Sequence, residues 1–135
     1  MEFHHIGIFV KNIDFGKSEL SKFIDISSVS KEVEDDVIGV RVLFLKDFNN
    51  INYELVAPLG KSSPVEGVLR RGKDFLNHIA YSTNTFDEEI KRLRVKGMVP
   101  LGPAKKAKAF NGARVIFFLT TLGFIIELIE TEERT

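Results

Sequence analysis

The run Asn77-His78-Ile79-Ala80-Tyr81 sets a histidine inside an otherwise apolar strand pattern. Alternate side chains of a strand point to opposite faces, so a polar residue in a buried strand must meet solvent, a partner or a cavity. Seventy-three positions earlier stands the same pattern, His4-His5-Ile6-Gly7-Ile8, with His5 in the place of His78. That offset also carries Glu54, in Tyr53-Glu54-Leu55-Val56, onto Glu127, in Ile126-Glu127-Leu128-Ile129. It carries Gly39-Val40-Arg41-Val42-Leu43-Phe44 onto Gly112-Ala113-Arg114-Val115-Ile116-Phe117, Asp14 onto Asp87 and Leu20 onto Leu93, with no insertion or deletion. A chain rich in Ile, Leu and Val yields single matches by chance, but not easily two ionisable pairs and an arginine-bearing strand in one register. The chain is therefore read as two copies of one module.

At 135 residues there is room for one domain's core and not for two independent ones, so the copies are expected to share a single domain over 1–135. Its parts are a first module at about 3–57, a linker with a short helix at 58–75, and a second module at about 76–130. Nineteen basic and nineteen acidic residues cancel, which leaves no global field to draw nucleic acid or an anionic membrane. There is no cysteine, hence no disulfide, thiolate metal site or cysteine nucleophile. No basic leader opens the sequence, and no apolar run approaches the roughly 20 residues of a membrane span. The expectation is a soluble cytoplasmic protein without nucleic-acid or membrane partners.

Within the first module, residues 3–10 are predicted as a strand interrupted by His5. Asn12 is placed to cap a helix carrying Ile13, Leu20, Phe23 and Ile24 on one side. The polar stretch 27–38 is expected to be a loop or edge strand, followed by strands at 39–46 and 51–56 with a turn at Asn49-Asn50. In the linker, Ser63-Pro64-Val65-Glu66 supplies the signals of a helix start and Gly72 of its end, predicting a helix over 64–71. In the second module Thr85-Phe86-Asp87-Glu88 has the form of a capping box, Phe86, Ile90 and Leu93 make the buried stripe, and Gly97 suits the position after the last turn. A loop is expected over 100–112, then strands at 113–119 and 124–129, with a fraying charged tail. A βαβββ unit occurring twice is an α+β arrangement: two tandem modules forming a curved, open sheet around a central cavity, with helices outside.

Two-fold pseudo-symmetry would gather His5, Glu54, His78 and Glu127. Two imidazole nitrogens and two carboxylates suit a divalent ion of the Ni, Co, Mn, Zn or Fe group more than magnesium, with remaining positions open to water or substrate. Taken singly, His78 is as well explained as a hydrogen-bonded core histidine and Glu127 as an edge carboxylate. The common register favours the metal. His4 competes with His5, but His5 is the one that falls on His78, while His4 falls on Asn77. Arg41 and Arg114 are symmetry mates with two open fates: salt bridges to surface acids such as Glu34 or Asp35, or a lining of the cavity that binds an anionic group of the substrate.

At these residues the sequence resembles the vicinal oxygen chelate superfamily, whose members are built from paired βαβββ modules around a metal. The resemblance spans Phe3 to Glu130. The runs Tyr53 to Gly60, Ser63-Pro64-Val65, Asn77-His78-Ile79-Ala80 and Ile126-Glu127-Leu128-Ile129 are similar to methylmalonyl-CoA epimerases, and the set His5, Glu54, His78, Glu127 is similar to the ligands of bacterial glyoxalase I (lactoylglutathione lyase). Such epimerases can carry a catalytic carboxylate on the strand that here holds Arg41, and the turn typical of glyoxalase I before its last ligand is here Thr121-Leu122-Gly123-Phe124. The resemblance implies an isomerase or lyase that removes a proton next to a carbonyl, with Glu127 or Glu54 as ligand and base. The substrate would be an acyl-CoA thioester or thiol adduct, and the assembly a homodimer. Some members of the superfamily instead sequester a drug or other ligand without chemistry, and others are iron-dependent ring-cleaving dioxygenases, against which Glu54 as a fourth ligand argues.

Overall fold

The computed structural model describes residues 1–60 and 76–132, so the helix expected over 64–71 lies outside the described residues. The first copy runs β1 (Glu2–Phe9), α1 (Ile13–Leu20), β2 (Ile26–Val29), β3 (Val33–Asp35), β4 (Val40–Asp47), β5 (Asn52–Pro58). The second runs β6 (Leu76–Thr83), α2 (Phe86–Val95), β7 (Val99–Pro100), β8 (Lys105–Ala107), a 3-10 turn (Lys108–Phe110), β9 (Ala113–Leu119), β10 (Ile125–Glu130). The result is a mixed α+β fold with open, unclosed sheet order. The chain divides into two compact units, His5–Asn77 and Met1–His4 with His78–Thr135.

In the first unit the order is β2-β4-β5-β1, with β3 also on β4. β1 runs parallel to β5, pairing Gly7 with Glu54, and β5 runs antiparallel to β4, pairing Glu54 with Phe44. In the second unit the order is β6-β10-β9-β7, with β8 on β9. β6 is parallel to β10 and β10 antiparallel to β9, where Glu127 faces Phe117. The duplication seen in the sequence is thus a duplication of pairing.

Each sheet buries one face under its helix. Ile13 and Leu20 of α1 pack on Leu43, Leu45, Leu55 and Ala57. Phe86 and Leu93 of α2 pack on Ile116, Phe118, Ile126 and Leu128, nearly the same places 73 positions on. Full burial of a Leu or Phe side chain contributes about 1.5–3 kcal/mol, so these clusters fix which face of each strand points toward the helix. By alternation the even residue Glu54 and the odd residue Glu127 are left on the other face.

Several local expectations need correction. Phe23 does not join the core: α1 ends at Leu20 and Phe23 is 76% exposed, because the turn that follows rotates it off the helix stripe. The stretch 27–38 takes the edge-strand form of its two expected alternatives, as two short strands, whereas the loop expected over 100–112 holds the end of β7, then β8 and a 3-10 turn. Edge pairing on a central strand overrides weak local propensity in both. Thr85 stands at the N-cap of α2 but makes no side-chain cap bond; its own N–H donates to Thr83 Oγ1 at 3.0 Å. Asn12 does cap α1, its Oδ1 accepting from Phe15 N–H at 2.7 Å, and Gly97 is left-handed with φ 96°.

The β4–β5 and β9–β10 turns also repeat. Asp47 Oδ1 accepts from the N–H groups of Asn49 (2.8 Å) and Ile51 (3.0 Å), and Thr120 Oγ1 accepts from Phe124 N–H (3.3 Å). Asn50 and Gly123 take the left-handed position in each turn. The Ile51 N–H above all holds the Asp47 carboxyl below its ordinary pKa, against desolvation and with help from Asn49 and Tyr53. A carboxyl with a depressed folded pKa contributes stability above the unfolded value of about 3.9 and loses it as pH falls through the folded value. Asp47→Ala is therefore expected to be less stable than the parent at neutral pH, with the gap closing as the pH falls through the depressed pKa of the folded Asp47 carboxyl. Urea unfolding at stepped pH checks this, and a gap that ignores pH would contradict it.

At Gly16 an added Cβ would lie 2.8 Å from Val10 Cγ1 and 3.0 Å from Cγ2. Val10 is held by its N–H to Val56 C=O at 2.9 Å and by a stiff β-branched rotamer. Gly16→Ala gains up to about 1 kcal/mol of helix propensity but meets an overpacking cost of about 1–3 kcal/mol. A net loss of about 1 kcal/mol is expected in equilibrium denaturation, and a stabilised variant would show that α1 can shift outward freely.

Candidate metal centre

On β1 the alternation that sends Ile8 and Val10 under α1 sends His5 to the opposite face, where β5 places Glu54. His5 is completely buried, Glu54 is 5% exposed, and His5 Nε2 lies 3.3 Å from Glu54 Oε1. In the other unit His78 on β6 and Glu127 on β10, each 3% exposed, set Nε2 and Oε1 at 3.2 Å. The two arrangements use the same atoms at nearly the same separation.

Those separations are informative. A charge-assisted N–H to carboxylate bond settles at about 2.7–2.9 Å. Two donor atoms bound to one ion at about 2.0–2.2 Å, at angles between a right angle and the tetrahedral one, sit roughly 3.0–3.5 Å apart. Each pair therefore has the spacing of adjacent ligands, and imidazole with carboxylate is a donor set for borderline transition metals. Among the described residues, His5 with Glu54 in one unit and His78 with Glu127 in the other are candidate metal ligands. His4 instead packs edge-on against Phe110, ring centroids 5.4 Å apart at 88°.

The sequence did not single out the residues beside the imidazoles. Phe44 meets His5 edge-to-face at 5.4 Å and 80°, and Phe117 meets His78 at 5.4 Å and 83°. They are mates under the 73-residue offset and face Glu54 and Glu127 across the strands. That double coincidence, already present in the aligned strands, was the signal that could have found them. Such contacts restrict ring orientation, as supporting groups around metal sites do.

Register places Arg41 and Arg114 on the helix side of their sheets. Arg41 is paired with Ala57, whose side chain belongs to the core under α1, so Arg41 projects on that face and not beside Glu54. Its Nη1 lies 2.6 Å from Glu34 Oε1 and 3.8 Å from Glu32. Arg114 has the parity of Ile116 and Phe118 in the core under α2. It donates to Glu130 (2.6 and 3.1 Å) and Asp87 (3.1 and 3.2 Å), with its guanidinium carbon 4.7 Å from the Phe86 ring centroid. The Arg114 guanidinium holds both carboxyls below their ordinary pKa, and the two acids, Glu130 first, hold Arg114 protonated well beyond its own. Both arginines make surface salt bridges in this structure.

The family model of the glyoxalase/bleomycin resistance protein/dioxygenase superfamily matches residues 4–117. An uncharacterized protein of Bacillus subtilis, YqjC, is 27% identical over 128 residues, covering 93% of this chain and 89% of that one. Methylmalonyl-CoA epimerase from Mycobacterium tuberculosis superposes with a TM-score of 0.78 at 24% identity, covering 98% of this chain and 89% of the other. A variant of the Streptomyces coelicolor methylmalonyl-CoA epimerase, in complex with 2-nitronate-propionyl-CoA, superposes at 0.75 with 21% identity over 99% of both chains. No described helix is long and apolar enough to cross a membrane.

Proposed function

The chain belongs to the glyoxalase/bleomycin resistance protein/dioxygenase superfamily, and from that membership we propose that it is a metal-dependent enzyme that abstracts a proton from carbon next to a carbonyl, most like methylmalonyl-CoA epimerase. The observation that carries this is the buried His–Glu pair occurring twice, at His5–Glu54 and His78–Glu127, with ligand-like spacing. The two pairs are proposed to serve one divalent ion of the Ni, Co, Mn or Zn class. When bound, the ion supplies positive charge against the negative charge that builds on the substrate carbonyl oxygen.

The chain's own residues do the rest. Glu127 or Glu54 accepts the proton from carbon and returns it, a role for a carboxylate within reach of the reacting centre. Burial of both carboxylates keeps water from competing for the proton and strengthens each electrostatic contact. Phe44 and Phe117 keep the imidazoles from turning, so that Nε2 stays aimed at its carboxylate partner. On β4 the residues sharing the face of Glu54 are Val40, Val42, Phe44 and Lys46, so this strand offers no separate catalytic carboxylate there. The glutamates of the pairs are left as the candidate bases. An acyl-CoA thioester is the favoured substrate class, since fold relatives include methylmalonyl-CoA epimerases, one holding an acyl-CoA analogue.

The experiment is proton–deuterium exchange in heavy water with methylmalonyl-CoA and, separately, methylglyoxal thiohemiacetals, each with added nickel, cobalt, manganese or zinc. Metal-dependent exchange at the carbon next to the thioester carbonyl is the expected result. Turnover of the thiohemiacetal alone would move the assignment to glyoxalase I-type isomerisation. A purified protein that takes up no divalent ion and exchanges neither substrate would leave a ligand-sequestering protein in its place.

A further inference from the structure

On the helix side of the first unit, away from the His–Glu pair, a cavity of about 470 Å³ opens between α1 and β1. Val10, Leu20 and Leu55 line it together with Phe15 and Phe23, which stand 41% and 76% exposed. Small-molecule pockets fall in the range of about 300–1,000 Å³ and are mainly apolar with a few placed polar groups. Lys11 is the placed polar group here. It lines the same cavity and sets Nζ 4.2 Å from the centroid of the Phe15 ring. Among the described residues Lys11 pairs with no carboxylate, whereas Glu19, also at the cavity, is neutralised by Lys22 at 2.6 Å.

The duplication provides an internal control. The positions of Phe15 and Phe23 are occupied in the second copy by Glu88 and Lys96, and that of Lys11 by Asn84. A helix on this sheet therefore does not need apolar side chains at these points, and two exposed phenylalanines cost solubility without serving the core. We infer that the cavity under α1 binds a small amphiphilic monocarboxylate, its apolar body between Phe15 and Phe23 and its carboxylate on Lys11. The cation fixes the class: a neutral apolar molecule would leave Lys11 without use, and a dianion would leave one charge against apolar wall.

The test is calorimetric titration of the full chain with octanoate and, as the uncharged control, 1-octanol. One octanoate per chain is expected, bound roughly tenfold tighter than the alcohol, the effect of one charge-assisted contact. Lys11→Gln should abolish that difference while leaving the alcohol's binding unchanged. Phe15→Glu and Phe23→Lys, which install the residues of the second copy, should abolish binding of both, with metal uptake and circular dichroism unaltered. Absence of saturable octanoate binding, or equal affinities for acid and alcohol, would overturn the inference. So would a sedimentation result in which the chain self-associates through this face, with Phe23→Lys dissociating the complex and octanoate failing to compete. Because Lys11 lies at the surface, its variant keeps the question answerable should the phenylalanine variants fold poorly.

Discussion

Glu127→Gln is expected to lower turnover by about 10²- to 10⁴-fold at saturating metal, the range that a positioned proton acceptor contributes. Glutamine keeps the shape of the side chain and one oxygen for an ion, but it cannot take a proton at any working pH. Glu127 is 3% exposed and directly opposite Phe117, so the substitution disturbs little surface and the loss reads on chemistry. Glu54→Gln is the companion measurement, because Glu54 has the same place in the first copy. If one glutamate is the base and the other only a ligand, one variant loses rate at saturating metal while the other mainly loses metal affinity. Solvent deuterium incorporation separates the two, since a base variant stops exchange itself. Full exchange activity in both variants would remove the glutamates from the reaction.

The second large effect concerns the ion. His5→Ala and His78→Ala are each expected to abolish stoichiometric binding of the same single divalent ion, although the two residues stand 73 positions apart. An ion that binds only the folded chain stabilises it by about 4 kcal/mol at a thousandfold excess over its dissociation constant, so the parent should show a large upward shift in Tm on metal addition. Both alanine variants should lose that shift. Metal analysis of dialysed protein with thermal unfolding, with and without the ion, decides the matter. Two ions per chain, or one variant that retains full uptake, would mean that the pairs act separately.

Much of this molecule could be read from the chain, for reasons visible at particular residues. Burial of strands enforces alternation, so a histidine and a glutamate that break apolar runs twice at one offset had to be exceptional positions. His5, Glu54, His78 and Glu127 are indeed buried, and each histidine lies against its own glutamate. The helix stripes were legible because Ile13, Leu20, Phe86 and Leu93 follow the helical period. Phe23 was misplaced because periodicity says nothing about where a helix stops. The short strands β7 and β8 were hidden because they exist by pairing with a neighbour distant in sequence, not by their own composition.

What the sequence determined by itself was the duplication, the α+β class and the identity of the four exceptional residues, since these follow from pattern alone. What only the tertiary structure decided was direction. Strand parity counted from one residue cannot tell which face a helix will cover, and that choice, made by Leu43, Leu45 and Ala57 in one unit and Ile116, Phe118 and Leu128 in the other, sends Arg41 and Arg114 to the acids on the helix side. The same choice brings Phe44 and Phe117 against the imidazoles, because side chains across paired strands meet only once register is fixed.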